Sequence, residues 1–179
     1  MILIGYDGSA DAQAAVDHLA GLMPGASVTV LAVWRSFEPL LDYHGGLAGA
    51  VSYDGPLGHA SNRFDFEALD ATLEAAAHTK AVEGCNRATE AGLVATPRVA
   101  RQVTSVAEAI LETADELDAS AIVLGSRGLT GARSWFAGSV SNGAIQHADR
   151  PVIVVPSQLV AEKRAAHRRQ AEPVAGVVA

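Results

Sequence analysis

Ala121-Ile122-Val123-Leu124-Gly125-Ser126-Arg127-Gly128-Leu129-Thr130-Gly131, followed by Gly138-Ser139, is the stretch that decides the fold. Its first four residues form a continuous apolar run, the pattern of a strand buried on both faces. Gly125 ends the run and opens a glycine-rich loop. Ser139 then starts a helix that the pattern carries to about Ala148. Val152-Ile153-Val154-Val155, bracketed by Pro151 and Pro156, reads as a second buried strand. A strand, a helix and another buried strand in close succession make a parallel crossover unit.

The same grammar extends toward the N-terminus. Ser105 caps a helix with Glu108 three residues later, a capping box, and Val106, Ile110, Ala114 and Leu117 form its buried stripe. Pro97 to Val103 reads as a weaker strand, and the presence of Pro97, Arg98 and Arg101 assigns it to a sheet edge. Phe66 to Ala91 carries Leu69, Leu73, Ala76, Ala77 and Val82 at helical spacing and stops at Gly92. Residues 35 to 65 hold no sustained period, and we expect an irregular insertion forming a mobile flap. Val28 to Trp34 is a buried strand. Ala12, Ala15, Val16 and Leu19 mark a helix stopped by Pro24-Gly25, and Ile2-Leu3-Ile4-Gly5 is the opening strand. Five strands alternating with four helices predict an α/β fold, a five-stranded parallel sheet with helices on both faces.

The bulk properties fit one such domain. The chain has 179 residues, 49% of them hydrophobic and 18% charged, a globular composition. The organisation expected is one folded domain over 1–156, interrupted by the insertion at 35–65, and a solvated helical or flexible tail over 157–179. The formal net charge of −7 is uneven. The first 156 residues are strongly acidic, while Lys163, Arg164, Arg168 and Arg169 make the tail basic. An acidic body argues against nucleic acid as a partner. Cys85 is the only cysteine, so neither a disulfide framework nor a zinc pattern is available. The start, Met-Ile-Leu-Ile-Gly-Tyr-Asp, lacks a basic leader, and no apolar run approaches the ~18–20 residues of a membrane span. A soluble, cytoplasmic protein with no membrane partner is expected.

In open parallel sheets, ligands bind beyond the carboxyl ends of the strands, where the winding direction reverses. Two ends carry unusual residues: Gly5-Tyr6-Asp7-Gly8-Ser9 after the first strand and Gly125 to Gly131 after the fourth. Placing those ends beside one another gives the sheet order 3-2-1-4-5. Glycines let the backbone turn with positive φ and approach a ligand closely. Gly138-Ser139 opens a helix whose free N–H groups and positive dipole end can hold phosphate oxygens. The Ser139 and Ser141 hydroxyls add donors, and Arg127 adds a positive charge.

The spacing Gly125-x2-Gly128-x9-Gly138-Ser139, followed by Val140-Ser141 and Asp149-Arg150-Pro151-Val152-Ile153-Val154-Val155, closely resembles the nucleotide-binding signature of the universal stress protein family. Ile2 to Ser9 resembles the same family's opening strand, and Val28 to Val33 its second. The resemblance covers about residues 1–156. It implies an adenine nucleotide alpha hydrolase-like fold and binding of ATP with Mg²⁺. On that pattern Asp7 contacts the ribose, Gly5 lies against the base, and the Val33 main chain contacts adenine. Leu124 and Gly125 line the ribose side, and Arg127, Gly128, Gly138, Ser139, Val140 and Ser141 surround the phosphates. It also implies a homodimer through Val152, Ile153, Val154 and Val155. Two positions depart from the pattern: Tyr6 is bulky where a small residue is expected, and Phe136-Ala137 replaces an aliphatic pair.

Each piece also has a plain structural reading. Asp7 and Ser9 can simply cap the first helix, Gly125 and Gly128 can shape a turn, and Ser139 can cap a helix. Their combination on two adjacent strand ends favours the nucleotide. The six histidines show no metal-ligand spacing, so no metal site of the protein's own is expected, and Trp34 and Trp135 are read as packing residues. There is no Gly-x4-Gly-Lys-Ser/Thr and no Gly-x-Gly-x2-Gly after the first strand, which excludes a P-loop hydrolase and disfavours dinucleotide binding. No lysine or carboxylate pair sits in the motif to activate water. Binding without efficient turnover is therefore expected, with no catalytic residue, in a sensor or modulator of the stress response. AMP or cyclic AMP is the nearest competing ligand. A weak ATPase or self-phosphorylating protein, modified on Ser139 or Ser141, and a nucleotide-independent interaction module are the other readings.

Overall fold

The computed structural model describes residues 1–36, 66–126 and 138–171. The elements run β1 (Ile2–Gly5), α1 (Ala10–Leu22), β2 (Ser27–Arg35), α2 (Phe66–Glu90), β3 (Val94–Gln102), α3 (Val106–Glu116), β4 (Ala121–Gly125), α4 (Ser139–His147), β5 (Val152–Val155) and α5 (Gln158–Ala171). All strand pairs are parallel, and the sheet order is β3-β2-β1-β4-β5. The expected fold class and strand order are both observed. The expected flap falls almost wholly on residues outside those described.

The strands are apolar on successive residues because each of their faces meets a helix. Alternate side chains of β1 part company: Ile2 and Ile4 join Val16 and Leu19 of α1 and Ala88 of α2, while Leu3 joins Ile110 and Ala114 of α3 and Ala144 of α4. Val123 of β4 belongs to the first core, and Ile122 and Leu124 to the second. Each fully buried Leu, Ile or Val contributes ~1.5–3 kcal/mol relative to exposure. The two cores clamp the sheet and leave its carboxyl edge open between helix N-termini. At the second core's far end, Arg150 donates to the Ala114 and Ala119 carbonyls at 2.7 and 2.9 Å, closing off α3 before β5 begins. Its bond to Asp149 holds that carboxyl below the usual carboxylate range.

β3 begins at Val94, three residues before the sequence pattern announces it at Pro97. Val94 donates to Ala26 across the β2 side, so the backbone groups of Pro97, an odd number of residues on, point to the free edge. The missing N–H of Pro97 therefore removes no ladder bond, and the strand runs through it. Tyr6 is accommodated in a similar way. Its ring is buried against Gly84 of α2, where a Cβ would lie 2.8 Å from Tyr6 Cγ, and its hydroxyl donates to Glu83 at 2.8 Å. Burial and the Glu83 carboxylate push the phenol up to about 12. Trp34 packs against the Ala32, Ala77 and Ala81 cluster, with the Arg101 guanidinium 5.9 Å from its ring centroid. No described helix is long and apolar enough to cross a membrane.

Candidate functional site

The chain winds from β1 through β2 to β3 on one side and places β4 and β5 on the other, so the winding reverses between β1 and β4. Two loops leave the sheet at that point. The first turns at Gly8, whose φ of +82° is one that a side chain rarely allows. Asp7, half-buried, accepts the Ser9 amide at 2.9 Å, and Ser9 Oγ in turn accepts the Ala12 amide at 3.2 Å as the N-cap of α1. The capping role that the sequence allows for Asp7 and Ser9 is thus present.

The second loop leaves at Gly125 and returns at Gly138. Gly125 packs against the first turn of α1: a Cβ there would lie 2.7 Å from the Ala12 nitrogen and the Asp11 carbonyl carbon. Gly5 sits on the opposite face, where a Cβ would meet Leu124 Cδ2 at 2.6 Å and Ile110 Cδ1 at 3.5 Å. Leu124 therefore covers Gly5, and the two expected neighbours of the adenosine are packed on each other. Val33, near the end of β2, is half-buried against the same core as Leu124.

Gly138 is the N-cap of α4 and supplies no side-chain hydrogen bond. The first-turn amides of any helix lack intrahelical acceptors, and among the described residues no N-cap side chain takes them here. Ser139 is exposed and Val140 half-buried, whereas Ser141 is only 2% exposed. Its hydroxyl turns inward, donating to the Gly138 carbonyl at 3.1 Å. Arg127 and Gly128 lie outside the described residues.

A cavity of about 750 Å³ opens at this edge. Arg35 and Gln102, from the ends of β2 and β3, form one wall, and Ser105 and Glu108 of α3 with Ser139 and His147 of α4 form others. Arg35 Nε donates to Gln102 Oε1 at 3.4 Å. Of the described site residues expected from sequence, Ser139 and Val140 line this cavity, and Gly5, Asp7, Val33, Leu124, Gly125, Gly138 and Ser141 are not part of its lining. Sequence reading gives Arg35 and Gln102 no role, and reads Glu108 only as the capping-box partner of Ser105. The available signal was positional: the first two end strands at the carboxyl edge, and the third lies in the first turn of a helix that starts there.

A model of the universal stress protein family matches residues 1–156. The chain belongs to the universal stress protein family. Solved structures agree on the fold. A universal stress family protein from Burkholderia pseudomallei is 24% identical with a TM-score of 0.58, over 87% of this chain and 94% of that one. A universal stress family protein from Arabidopsis thaliana, solved with AMP bound, is 16% identical with a TM-score of 0.57, over 88% and 91%. The universal stress protein of Archaeoglobus fulgidus in complex with dAMP is 20% identical with a TM-score of 0.51, over 86% and 95%. No curated protein matches the chain in sequence.

Among the described residues, no group of three or more His, Cys, Asp or Glu side chains could hold a metal ion. Among the described residues, the cavity of this universal stress protein is lined by donors that include the Ser139 hydroxyl, the Gln102 amide and the Arg35 guanidinium, groups that can hold an anion, beside the Glu108 carboxylate.

Proposed function

We propose that this universal stress protein binds an adenine nucleotide at the β1–β4 switch point, ATP with Mg²⁺ before others, and acts as a cytoplasmic sensor or modulator without efficient turnover. The observation that carries the reading is the first turn of α4: its N-cap, Gly138, supplies no side-chain hydrogen bond, and the Gly138 amide ties it to the Ser126 carbonyl at the end of β4, the strand beside β1. A single contact of an anion with a helix end is worth only ~0.3–2 kcal/mol. Several amides, the Ser139 hydroxyl and the motif's Arg127 would act together. The ion would arrive on the phosphates, since the described residues offer no cage for it. The adenine nucleotides carried by the Arabidopsis and Archaeoglobus relatives support the adenosine end of the assignment. They also favour AMP as the competing ligand, because its adenosine contacts would be shared.

The test is a melting series with ATP, ADP, AMP and cyclic AMP. A ligand at ~100 times its dissociation constant adds ~2.7 kcal/mol of stability. For a chain of this size that is a rise of roughly 5–10 °C. A melting point unmoved by all four would sink the proposal. Mass spectrometry of whatever nucleotide co-purifies ranks ATP against AMP. Steady phosphate release that Gly138→Asp abolishes would convert the sensor into an enzyme.

We also propose a homodimer through β5. Ile122 and Ser126 donate to the Pro151 and Val155 carbonyls, so residues 151, 153 and 155 face β4. The backbone groups of Val152 and Val154 therefore point to the free edge, where a second copy can pair. Val154→Pro removes an outward N–H and leaves the β4 ladder intact. It should give monomers in sedimentation, and dimers that survive it would place the interface elsewhere.

A further inference from the structure

Ser126 is fully buried, yet it is polar, and each of its hydrogen-bonding groups is engaged with a different part of the fold. Its amide donates to the Val155 carbonyl at 2.8 Å, joining β4 to β5. Its carbonyl accepts the Gly138 amide at 2.6 Å and lies 3.5 Å from Ser141 Oγ, joining β4 to the start of α4. Its hydroxyl donates to Asp11 Oδ2 at 2.6 Å, joining β4 to the first turn of α1.

Asp11 is only 5% exposed. A buried carboxylate is costly unless it is hydrogen-bonded, and an apolar pair of similar volume would fill this joint at less cost. The pair also stands where two helix N-termini and the Gly125 contact meet. Such polar networks fix geometry more narrowly than apolar packing does, because each bond has a direction and a length. What this one fixes is the position of Gly138 and Ser141 relative to α1 and β4.

From this we infer that Asp11 and Ser126 are positioning residues for the phosphate end of the nucleotide, holding the first turn of α4 at the distance from the β1 end that a bound nucleotide requires. The inference rests on the nucleotide-binding reading above. Neither residue need touch the ligand. Their effect reaches it through the amides of Ser139, Val140 and Ser141, whose placement tolerates only a fraction of an ångström.

A structural role alone would lower the melting temperature of Ser126→Ala without changing the ratio of its affinities for ATP and adenosine. A positioning role changes that ratio, because adenosine does not use the α4 amides. Isothermal titration of the full chain with ATP and with adenosine therefore separates the two. Ser126→Ala should lose on the order of tenfold in ATP affinity, the worth of one charge-assisted hydrogen bond, and keep its adenosine affinity. Asp11→Ala should do the same. Loss of the negative charge by itself would tighten ATP binding, so the sign of that change separates geometry from electrostatics. Asp11→Asn and Ser126→Thr, which retain the acceptor and the hydroxyl, should recover most of the wild-type ratio. If Ser126→Ala does not fold, the near-isosteric Ser126→Cys, a weaker donor, should show a smaller loss confined to ATP. Wild-type binding with an unchanged ATP-to-adenosine ratio in the variants would overturn this inference and leave the nucleotide site standing. A wild-type chain that binds neither ligand would overturn both.

Discussion

Helices α1, α3 and α4 all begin at the carboxyl edge of the sheet, but they do not begin alike. Ser9 Oγ takes the Ala12 amide of α1, and Ser105 Oγ takes the Glu108 amide of α3 at 3.0 Å. α4 begins at Gly138, with no side chain to do the same. A third serine here would have stabilised the helix end by a few tenths of a kcal/mol over glycine. A self-capped helix has satisfied its own end. A glycine-capped one keeps its amides for water or for an external acceptor, and the proposed nucleotide would use that difference.

Gly138→Asp attacks the difference directly. Gly138 has φ −62°, which any residue adopts, so the substitution creates the cap that α4 lacks without backbone strain. It also sets a carboxylate against the phosphates. ATP affinity should fall on the order of 100-fold, about 2.7 kcal/mol, while the melting temperature of the empty protein holds or rises. Calorimetric titration beside a melting curve reads both. A variant that is weaker in binding because it is unfolded would erase the contrast between the helix ends.

Gly125→Ala tests the joint between the closed and the open end. The new methyl would strike backbone atoms of α1 at 2.7 Å, and backbone cannot swing aside. Overpacking of this kind costs ~1–3 kcal/mol. Gly5→Ala meets instead the far end of the Leu124 side chain, which can turn, and should cost less. Denaturant midpoints for the pair should rank Gly125→Ala as the more damaging.

Ser9→Ala and Ser105→Ala remove the existing caps. Each should destabilise the fold by ~1 kcal/mol, seen as a fall of a few degrees in melting temperature, and leave the ratio of ATP to adenosine affinity unchanged. A selective loss of ATP from either would mean that the capped ends also serve the phosphates.

The architecture was legible because parallel strands covered on both faces have to be apolar on successive residues, as Ile2–Ile4 and Ala121–Leu124 are. Their order followed from two glycine-rich ends needing one crevice. The start of β3 was not legible, since Pro97 looks like a boundary until its orientation on the edge is known. At the site, the residues that act through their own chain neighbours were readable: Ser9, Ser105 and Gly138. Those that act across the fold were not. Asp11 and Ser126 are 115 residues apart and carry no local pattern. The same holds for Arg35 and Gln102, which only the β2–β3 register sets side by side. Leu124 over Gly5 is a matter of which face each presents, a question that an all-apolar strand leaves open.

Tyr6 shows the same limit from the other direction. In sequence it is too large for its place after β1. In the fold it lies on the α1 and α2 face, away from the cavity, with Gly84 making room and Glu83 accepting the hydrogen bond of its hydroxyl. Its phenol is raised to about 12, against ~10 in an unfolded chain. The folded state therefore keeps a proton between those values that the unfolded state has released. The associated stability is fully present below pH 10 and is lost as pH rises toward 12. Urea midpoints measured from pH 9 to 12 should fall more steeply in the wild type than in Tyr6→Phe, which has no proton to lose. Nucleotide affinity at neutral pH should be the same in both proteins, because the ring belongs to the dry, self-capped side of the edge. An ATP affinity altered by Tyr6→Phe would show that the two sides are coupled through β1.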